Sequence, residues 1–417
     1  MIAATFRSLR HRDYRLYFAG QVVSLHGTWM QNVAQAWLVY RLTESSFMLG
    51  LVAFCSLIPV LIFSLFGGVL ADRHDRRRLM IAAHSLGMVQ ASILAVLTIG
   101  GWVQPWHIVV LALGLGLVHA FEMPARHSLI AELVPRADLP NAVGLNSSAF
   151  NVARFLGPSL AGLLIARVGE GPVFAINAIS FGAILSALLA MRIGSKVRER
   201  PRGGALSYIR TAVGYAMSQP QIRAGLLLVG VMSMVAASTT VLMPVFAKQV
   251  FGGGSDTLGY LLGAMGLGAL GGALRLARRV NGAGMDRAAG AAGVAAGVAL
   301  LLVSTLDHLH LAQLHWALPI LAVVGFCHST LVASTNALIQ LIVPDELRGR
   351  VMSLFSTVFI GLMPLGSLGA GAAAERIGAP LTLAGFALVS LVGGGLFLAR
   401  VPRFRETVQE PESGHAR

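Results

Sequence analysis

Residues 46–71 read SFMLGLVAFCSLIPVLIFSLFGGVLA, and Asp72-Arg73-His74-Asp75-Arg76-Arg77-Arg78 follows at once. The first stretch runs for 26 positions without a charge. A helix rising 1.5 Å per residue needs about 20 residues to cross the roughly 30 Å of bilayer hydrocarbon, so this run is long enough. The second stretch is a dense charge cluster that belongs in water or among headgroups. The same alternation of long apolar run and short basic segment continues along the chain. It predicts an all-α integral membrane protein.

Bulk composition agrees. Of the 417 residues 55% are hydrophobic and 12% charged, and the mean hydropathy is +0.72. A soluble domain carries about 25% charged residues, so too few remain here to coat a soluble fold of this size. The net charge of +14 would suggest nucleic acid in a soluble protein. Here the basic residues lie between apolar runs, which is a topology signal, and no nucleic-acid partner is expected. Cys55 and Cys327 both fall inside apolar runs, which argues against a disulfide framework. The basic segment Met1 to Arg15 lacks an immediate cleavage pattern, so the first run reads as a retained helix.

Twelve runs are predicted to span: 16–40, 46–71, 79–99, 106–127, 141–166, 171–192, 222–247, 256–275, 287–306, 315–340, 350–374 and 378–399. They define an N-terminal segment 1–15, a six-helix bundle 16–192, a polar linker 193–221, a second six-helix bundle 222–399 and a tail 400–417. Twelve crossings put both termini on one side. The segments sharing that side hold 27 of the 32 lysines and arginines. The opposite side holds Arg41, Arg167, Lys248 and Arg376, and Arg154 is left inside a run. By the positive-inside rule both termini and the linker are expected in the cytoplasm. The chain also repeats: Leu129-Ile130-Ala131-Glu132-Leu133-Val134-Pro135 resembles Leu338-Ile339-Gln340-Leu341-Ile342-Val343-Pro344, about half a chain later. A parallel six-helix repeat is a recognised transporter plan, with the path between the halves.

At Gly68-Val69-Leu70-Ala71-Asp72-Arg73-His74-Asp75-Arg76-Arg77-Arg78 the sequence resembles the major facilitator superfamily. The pattern there is Gly, two residues, small, Asp, Arg, one residue, Gly, Arg, Arg or Lys; Asp75 stands where the pattern has Gly. The second half keeps only a degraded counterpart without the acid, from Gly271 to Arg279. The openings Phe6 to Arg15 and Pro124-Ala125-Arg126 resemble the bacterial branch of macrolide and siderophore exporters. Gly157-Pro158-Ser159-Leu160-Ala161-Gly162 is similar to the Gly-Pro motif of exporters, with Ala161 where that motif has Gly. The resemblance implies two six-helix halves, export, proton antiport, and a gating loop formed by Gly68, Asp72, Arg73 and Arg76.

Several polar residues fall within the runs. An ionisable group there is expensive and marks a functional hypothesis. Two roles are open to Glu122: proton uptake during coupling, or an acidic partner for Arg76 or for Arg126 one turn away. Its neighbour His119 can titrate near neutral pH. Arg154 lies too deep to snorkel, and three roles are open to it: an anionic group of cargo, a helix carbonyl, or a partner that changes during transport. Gln31, Asn32 and Gln35 suit either a cavity wall or interhelical glue. Asn146, Asn151 and Asn336 are similar candidates. No close His/Cys/Asp/Glu set suggests a metal, and no Gly-rich Lys-Ser/Thr loop suggests nucleotide. No cofactor is expected beyond a proton gradient.

These features point to a secondary active exporter of small amphipathic molecules, of drug, macrolide or siderophore type, in the inner membrane of a bacterium and functional as a monomer. A metabolite importer or facilitator of the same fold is the alternative. An enzyme would need a clustered nucleophile or carboxylates near one face, and a channel would need no latch between halves.

Overall fold

A computed structural model describes residues 6–192, 205–277, 284–306 and 312–409; the side chains of 65, 69, 71–73, 205–209, 277 and 402–409 lie outside it. The linker segment 193–204, the tail from 410, Arg278 and Arg279 therefore lie outside the described residues, as do the side chains of Asp72 and Arg73.

A 3₁₀ turn at Arg7–Arg10 leads into α1 (Arg12–Thr43), α2 (Ser46–Arg73), α3 (Arg76–Ile99), α4 (Pro105–Leu133), α5 (Leu139–Val168) and α6 (Glu170–Ala190). A short helix α7 (Ala205–Ser218) precedes α8 (Pro220–Val245), which continues into a π-helical turn at Phe246–Val250. Then come α9 (Ser255–Ala277), α10 (Met285–Thr305), α11 (Leu314–Ile342), α12 (Asp345–Gly361), α13 (Met363–Ile377) and α14 (Ala379–Gln409). Each apolar run falls on a helical segment, though several helices outrun it: α1 begins four residues earlier, α12 five earlier, α4 ends six later and α14 ten later. Among the described residues eleven helical segments are long and apolar enough to cross a membrane, so this is an all-α, multi-pass membrane protein.

The run outside those eleven is α1, and its composition explains why. It is 32 residues long, yet it carries Gln21, Ser24, Gln31 and Gln35, all turned inward and buried. The run at 350–374 is two helices, α12 and α13, broken at Leu362. Pro364 has no N–H to give the carbonyl of Ile360, which ends one helix and suits the first turn of the next. The linker holds α7, which packs on α12 with Ala212 and Ala216 buried. The sequence reads this stretch only as a polar linker, because so short a helix does not form an apolar run of spanning length.

Packing divides the chain into Met1–Pro201 with Val241–Gly266, and Arg202–Thr240 with Leu267–Arg417. In the first unit α1 packs on α5 and α6, α2 on α4, and α3 on α4 and α6. Its core is built from Tyr14, Tyr17, Met80, Leu129, Ile130 and Ile184. Gly116 lets α4 press onto α2: a Cβ there would lie 2.5 Å from the Ser56 carbonyl oxygen. In the second unit α10 packs on α11 and α14, and Gly394 brings α14 against α10, where a Cβ would lie 2.6 Å from the Val294 nitrogen and 2.8 Å from the Gly293 carbonyl carbon. Water supplies no driving force between helices inside a bilayer, so such close backbone approach carries much of their association. Gly394→Ala is therefore expected to destabilise by about 1–3 kcal/mol, because backbone cannot yield as a side chain does; a lowered thermal unfolding midpoint of the purified protein checks it.

Candidate functional site

The α2–α3 connection holds the motif from Gly68 to Arg78. Asp75 is the N-cap of α3, and its Oδ1 accepts the Arg78 N–H at 3.2 Å. Aspartate is a strong N-cap, so the departure from the family pattern at this position has a local reason. Arg76 pairs with Glu132 near the end of α4, both side chains being largely covered. Arg77 donates to the carbonyls of Leu188 at 2.6 Å and Leu189 at 2.9 Å, satisfying orphan acceptors of the last turn of α6. A Cβ on Gly68 would meet nothing within 4 Å. Sequence reading missed Glu132, although the repeat pointed to it: Leu341 occupies the matching place in the second half.

The N-terminal turn is strapped to the α4–α5 connection. The Ser8 N–H and Oγ–H donate to Asn141 Oδ1 at 3.0 and 2.7 Å, and Arg7 pairs with Asp138. His11 Nε2 lies 2.7 Å from Asp138 Oδ2. The His11 hydrogen bond, helped by the Arg7 charge, holds the Asp138 carboxyl below its ordinary range.

Within the first six helices the glutamine and asparagine candidates separate. Gln31 is fully buried, donates to Gln90 Oε1 at 2.9 Å and accepts from Asn177 Nδ2 at 2.7 Å. It thus ties α1 to α3 and α6. Gln35, one turn on, is buried too, whereas Asn32 is exposed. Asn146 keeps a buried Oδ1 without a hydrogen-bond partner among the described residues, and Asn151 donates to the Ser147 carbonyl at 2.9 Å. On α11, Asn336 accepts from Gln340 at 2.5 Å.

Glu122 is buried on α4. Its Oε1 lies 3.5 Å from Arg126 Nε and its Oε2 4.0 Å from His119 Nδ1. Arg126 is thus the acid's partner, and Arg76 goes to Glu132. Glu122 Oε1, Arg126 Nε, Tyr17 Oη of α1 and His84 Nε2 of α3 are all buried without a hydrogen-bond partner among the described residues. Tyr17 and His84 both lie within electrostatic range of Glu122 and Arg126. Buried polar groups are nearly always bonded, so four such atoms close together set this place apart. Tyr17 was not singled out from sequence, because its helix meets those of His84 and Glu122 only in three dimensions. Among the described residues no group of three or more His, Cys, Asp or Glu is placed to hold a metal.

Arg154 lies fifteen residues past Leu139 on α5, about 22 Å along the axis. It is half-buried and has no ion-pair or hydrogen-bond partner among the described residues. Below it Ser147, Ser148 and Phe150 are exposed. Above it the helix is covered by α9: a Cβ on Gly266 would lie 2.7 Å from Phe155 Cα, one on Gly259 3.0 Å from the Pro158 oxygen, and one on Gly162 2.5 Å from the Ser255 oxygen. A Cβ on Gly157 would lie 2.5 Å from the Trp29 Cβ. Pro158 has no N–H for the Arg154 carbonyl, so the helix ladder is interrupted where covering begins. Beyond this seal, at the end of α1, Lys248 Nζ pairs with Glu44 Oε1 at 2.7 Å and sits 5.8 Å from the Tyr40 ring centre. Lys248 holds the Glu44 carboxyl below its ordinary range. Arg41 grips Glu170 with two bonds of 2.7 and 3.1 Å.

The family model described as transmembrane secretion effector matches residues 3–415. The chain belongs to that family, within the major facilitator superfamily. It is a secondary transporter of small molecules that works by alternating access, and not an enzyme. It is 28% identical over 395 residues to the multidrug efflux pump Tap of Mycolicibacterium fortuitum, covering 91% of this chain and 93% of that one. It is 25% identical over 356 residues to the staphyloferrin A transporter of Staphylococcus aureus, covering 85% and 87%. It is 25% identical over 387 residues to macrolide efflux protein A of Streptococcus pyogenes, covering 88% and 92%. Among solved structures, a bacterial homolog of the human lysosomal transporter Spinster, inward-facing and unoccupied, superposes with a TM-score of 0.68 at 14% identity over 97% of this chain and 98% of that one. A POT family transporter bound to 5-aminolevulinic acid gives 0.74 at 11% identity over 94% and 96%. At these identities the structural likeness concerns the fold.

Two outcomes follow from the basic loops. Arg76→Ala and Glu132→Ala should each slow transport, and a double-mutant cycle on unfolding should show about 1 kcal/mol of coupling between them. The strap's contribution from Asp138, whose carboxyl titrates below its unfolded value, is complete above the ordinary carboxylate pKa of about 4 and is lost as pH falls through the lowered value. A spin label at position 10, in a chain lacking Cys55 and Cys327, should therefore stay immobile at pH 5. It should be mobile at neutral pH in Asp138→Asn.

Proposed function

We propose that this transporter exports small amphipathic molecules from a bacterial cytoplasm in exchange for protons. The observation that carries the reading is α5 itself. One end of it offers exposed polar and aromatic groups up to Arg154, and the next turns are sealed by the glycines of α9. A helix open to one side of the membrane and closed to the other is what one access state requires. Export is supported by the efflux functions in the names of relatives matched along most of the chain, and by the Gly157-Pro158-Gly162 segment forming part of the seal.

In this reading α1 is the twelfth crossing. It is long enough to span, and its polar groups are turned away from lipid. The bundles 16–192 and 222–399 then form two six-helix halves joined by 193–221, in the inner membrane, with 1–15, the linker and the tail 400–417 in the cytoplasm. The 27 basic residues on that side support the orientation. Gly68, Asp72, Arg73 and Arg76 form the cytoplasmic gate, with Glu132 as the acid that Arg76 holds in one state and releases in the other. Glu122 is the coupling carboxylate. Arg126, His119, His84 and Tyr17 surround it, and protonation weakens its hold on Arg126. Gln31 holds the first bundle together with Gln35 buried one turn on, while Asn32, Asn151 and Asn336 are available to water and cargo and Asn146 keeps an unpartnered oxygen. One chain carries the whole path, so a monomer suffices.

The test uses proteoliposomes loaded with a fluorescent amphipathic drug. An imposed pH gradient should drive transport against a cargo gradient. Glu122→Gln should abolish that drive and leave cargo-for-cargo exchange within a few-fold of wild type. Transport indifferent to the gradient in the unmodified protein would sink proton antiport.

A further inference from the structure

Among the described residues the carboxylates of the first six helices are engaged. Seven of them have described side chains, and each faces a cation: Asp13 with Arg12, Glu44 with Lys248, Asp75 with Arg78, Glu122 with Arg126, Glu132 with Arg76, Asp138 with Arg7, and Glu170 with Arg41. Arg154 is the contrast. It lies near the middle of a 30-residue spanning helix and finds neither a carboxylate nor a carbonyl among the described residues. A guanidinium stays charged in a protein, and at that depth a lone charge is expensive. Nothing among the described residues meets it.

The surroundings say what would. Successive residues of α5 advance by 100°, so Ser147, Asn151 and Arg154 share one face within about 60°. Phe150 lies one turn before Arg154 on the same side. Its ring makes an edge contact with Trp29, the centres 5.6 Å apart. Trp29 in turn packs on Gly157, just past Arg154. Leu156, Leu160 and Leu163 are exposed roughly half a turn round the helix, which is the lipid side. Arg154 therefore looks away from lipid. It has amide and hydroxyl groups below it, an aromatic pair beside it, and the α9 seal above it. A forked donor next to aromatic edges is complementary to a carboxylate carried on an apolar body.

We propose that Arg154 is the anchor of a cargo site for amphipathic carboxylates, with Phe150 and Trp29 taking the apolar body and Asn151 at the rim. This rests on the export reading and names the cargo class within it. The same chemistry has a second source, since an anionic lipid headgroup also carries a negative oxygen, so the experiment includes an arm for it.

The test measures binding of 1-naphthylacetate and of its methyl ester to the full-length protein in nanodiscs of phosphatidylcholine alone, followed by tryptophan fluorescence. The unmodified protein should bind the acid at least about tenfold more tightly than the ester, a difference of about 1.4 kcal/mol. Arg154→Gln should erase the preference while leaving ester binding within twofold, and Arg154→Lys should keep part of it. Thermal unfolding of each variant identifies any that misfold, and Arg154→Lys keeps the charge should the glutamine variant be one of them. Three results overturn the proposal: no preference for the acid in the unmodified protein, equal weakening of acid and ester in Arg154→Gln, or acid binding that appears only with phosphatidylglycerol present. Efflux of the neutral ester separates the two readings. If a pH gradient drives it in both the unmodified and Arg154→Gln proteins, export stands whatever the binding arm returns. If neither compound is exported by the unmodified protein, export falls, and the binding arm alone still decides Arg154.

Discussion

Inside a bilayer no water is available to satisfy a stranded charge or backbone group, and that constraint orders this structure. Helices meet it for the backbone. The side chains meet it by pairing, and the pairs sit where helices end: Arg76 with Glu132, Arg77 on the last carbonyls of α6, Arg41 with Glu170. Each pair satisfies two groups and also fixes which helix ends lie together. The deep polar groups follow the same logic. Gln31 is shared between Gln90 and Asn177, so that one α1 residue serves three helices.

Where the constraint is left unmet, chemistry is the natural explanation. The atoms around Glu122 lack good partners although they are crowded with polar groups. A network completed in that way would be rigid; left incomplete, it suits the proton uptake proposed for Glu122. The small-residue seal between α5 and α9 is its mechanical counterpart. Backbones touching through Gly162, Gly259 and Gly266 can part without dragging large side chains out of pockets.

The membrane class and helix placement were legible in the sequence because hydrocarbon thickness imposes a length and loops impose a charge. The run at 16–40 shows the limit of that signal: its glutamines lower its hydropathy, and only packing shows that they face inward. The break at Leu362 needed Pro364 to be read as a helix end within a continuous apolar run. At the site, the sequence placed Glu122 beside Arg126 because residues four apart on a helix are neighbours. It could not bring Tyr17 and His84 to them, nor Glu132 to Arg76, since those approaches depend on tertiary packing. The Asp75 departure from the family pattern turned out to be an ordinary helix cap.

Glu44 closes α1 with a left-handed backbone, φ being 52°. That conformation costs a side-chain-bearing residue roughly 1–2 kcal/mol and costs glycine almost nothing. Glycine would thus make a more comfortable helix end, but it would leave Lys248 over the Tyr40 ring without its carboxylate. Backbone comfort and the ion pair pull in opposite directions at this one position. A screen that selects only for heat resistance would therefore tend to discard the charge, and a screen for tight closure would keep it.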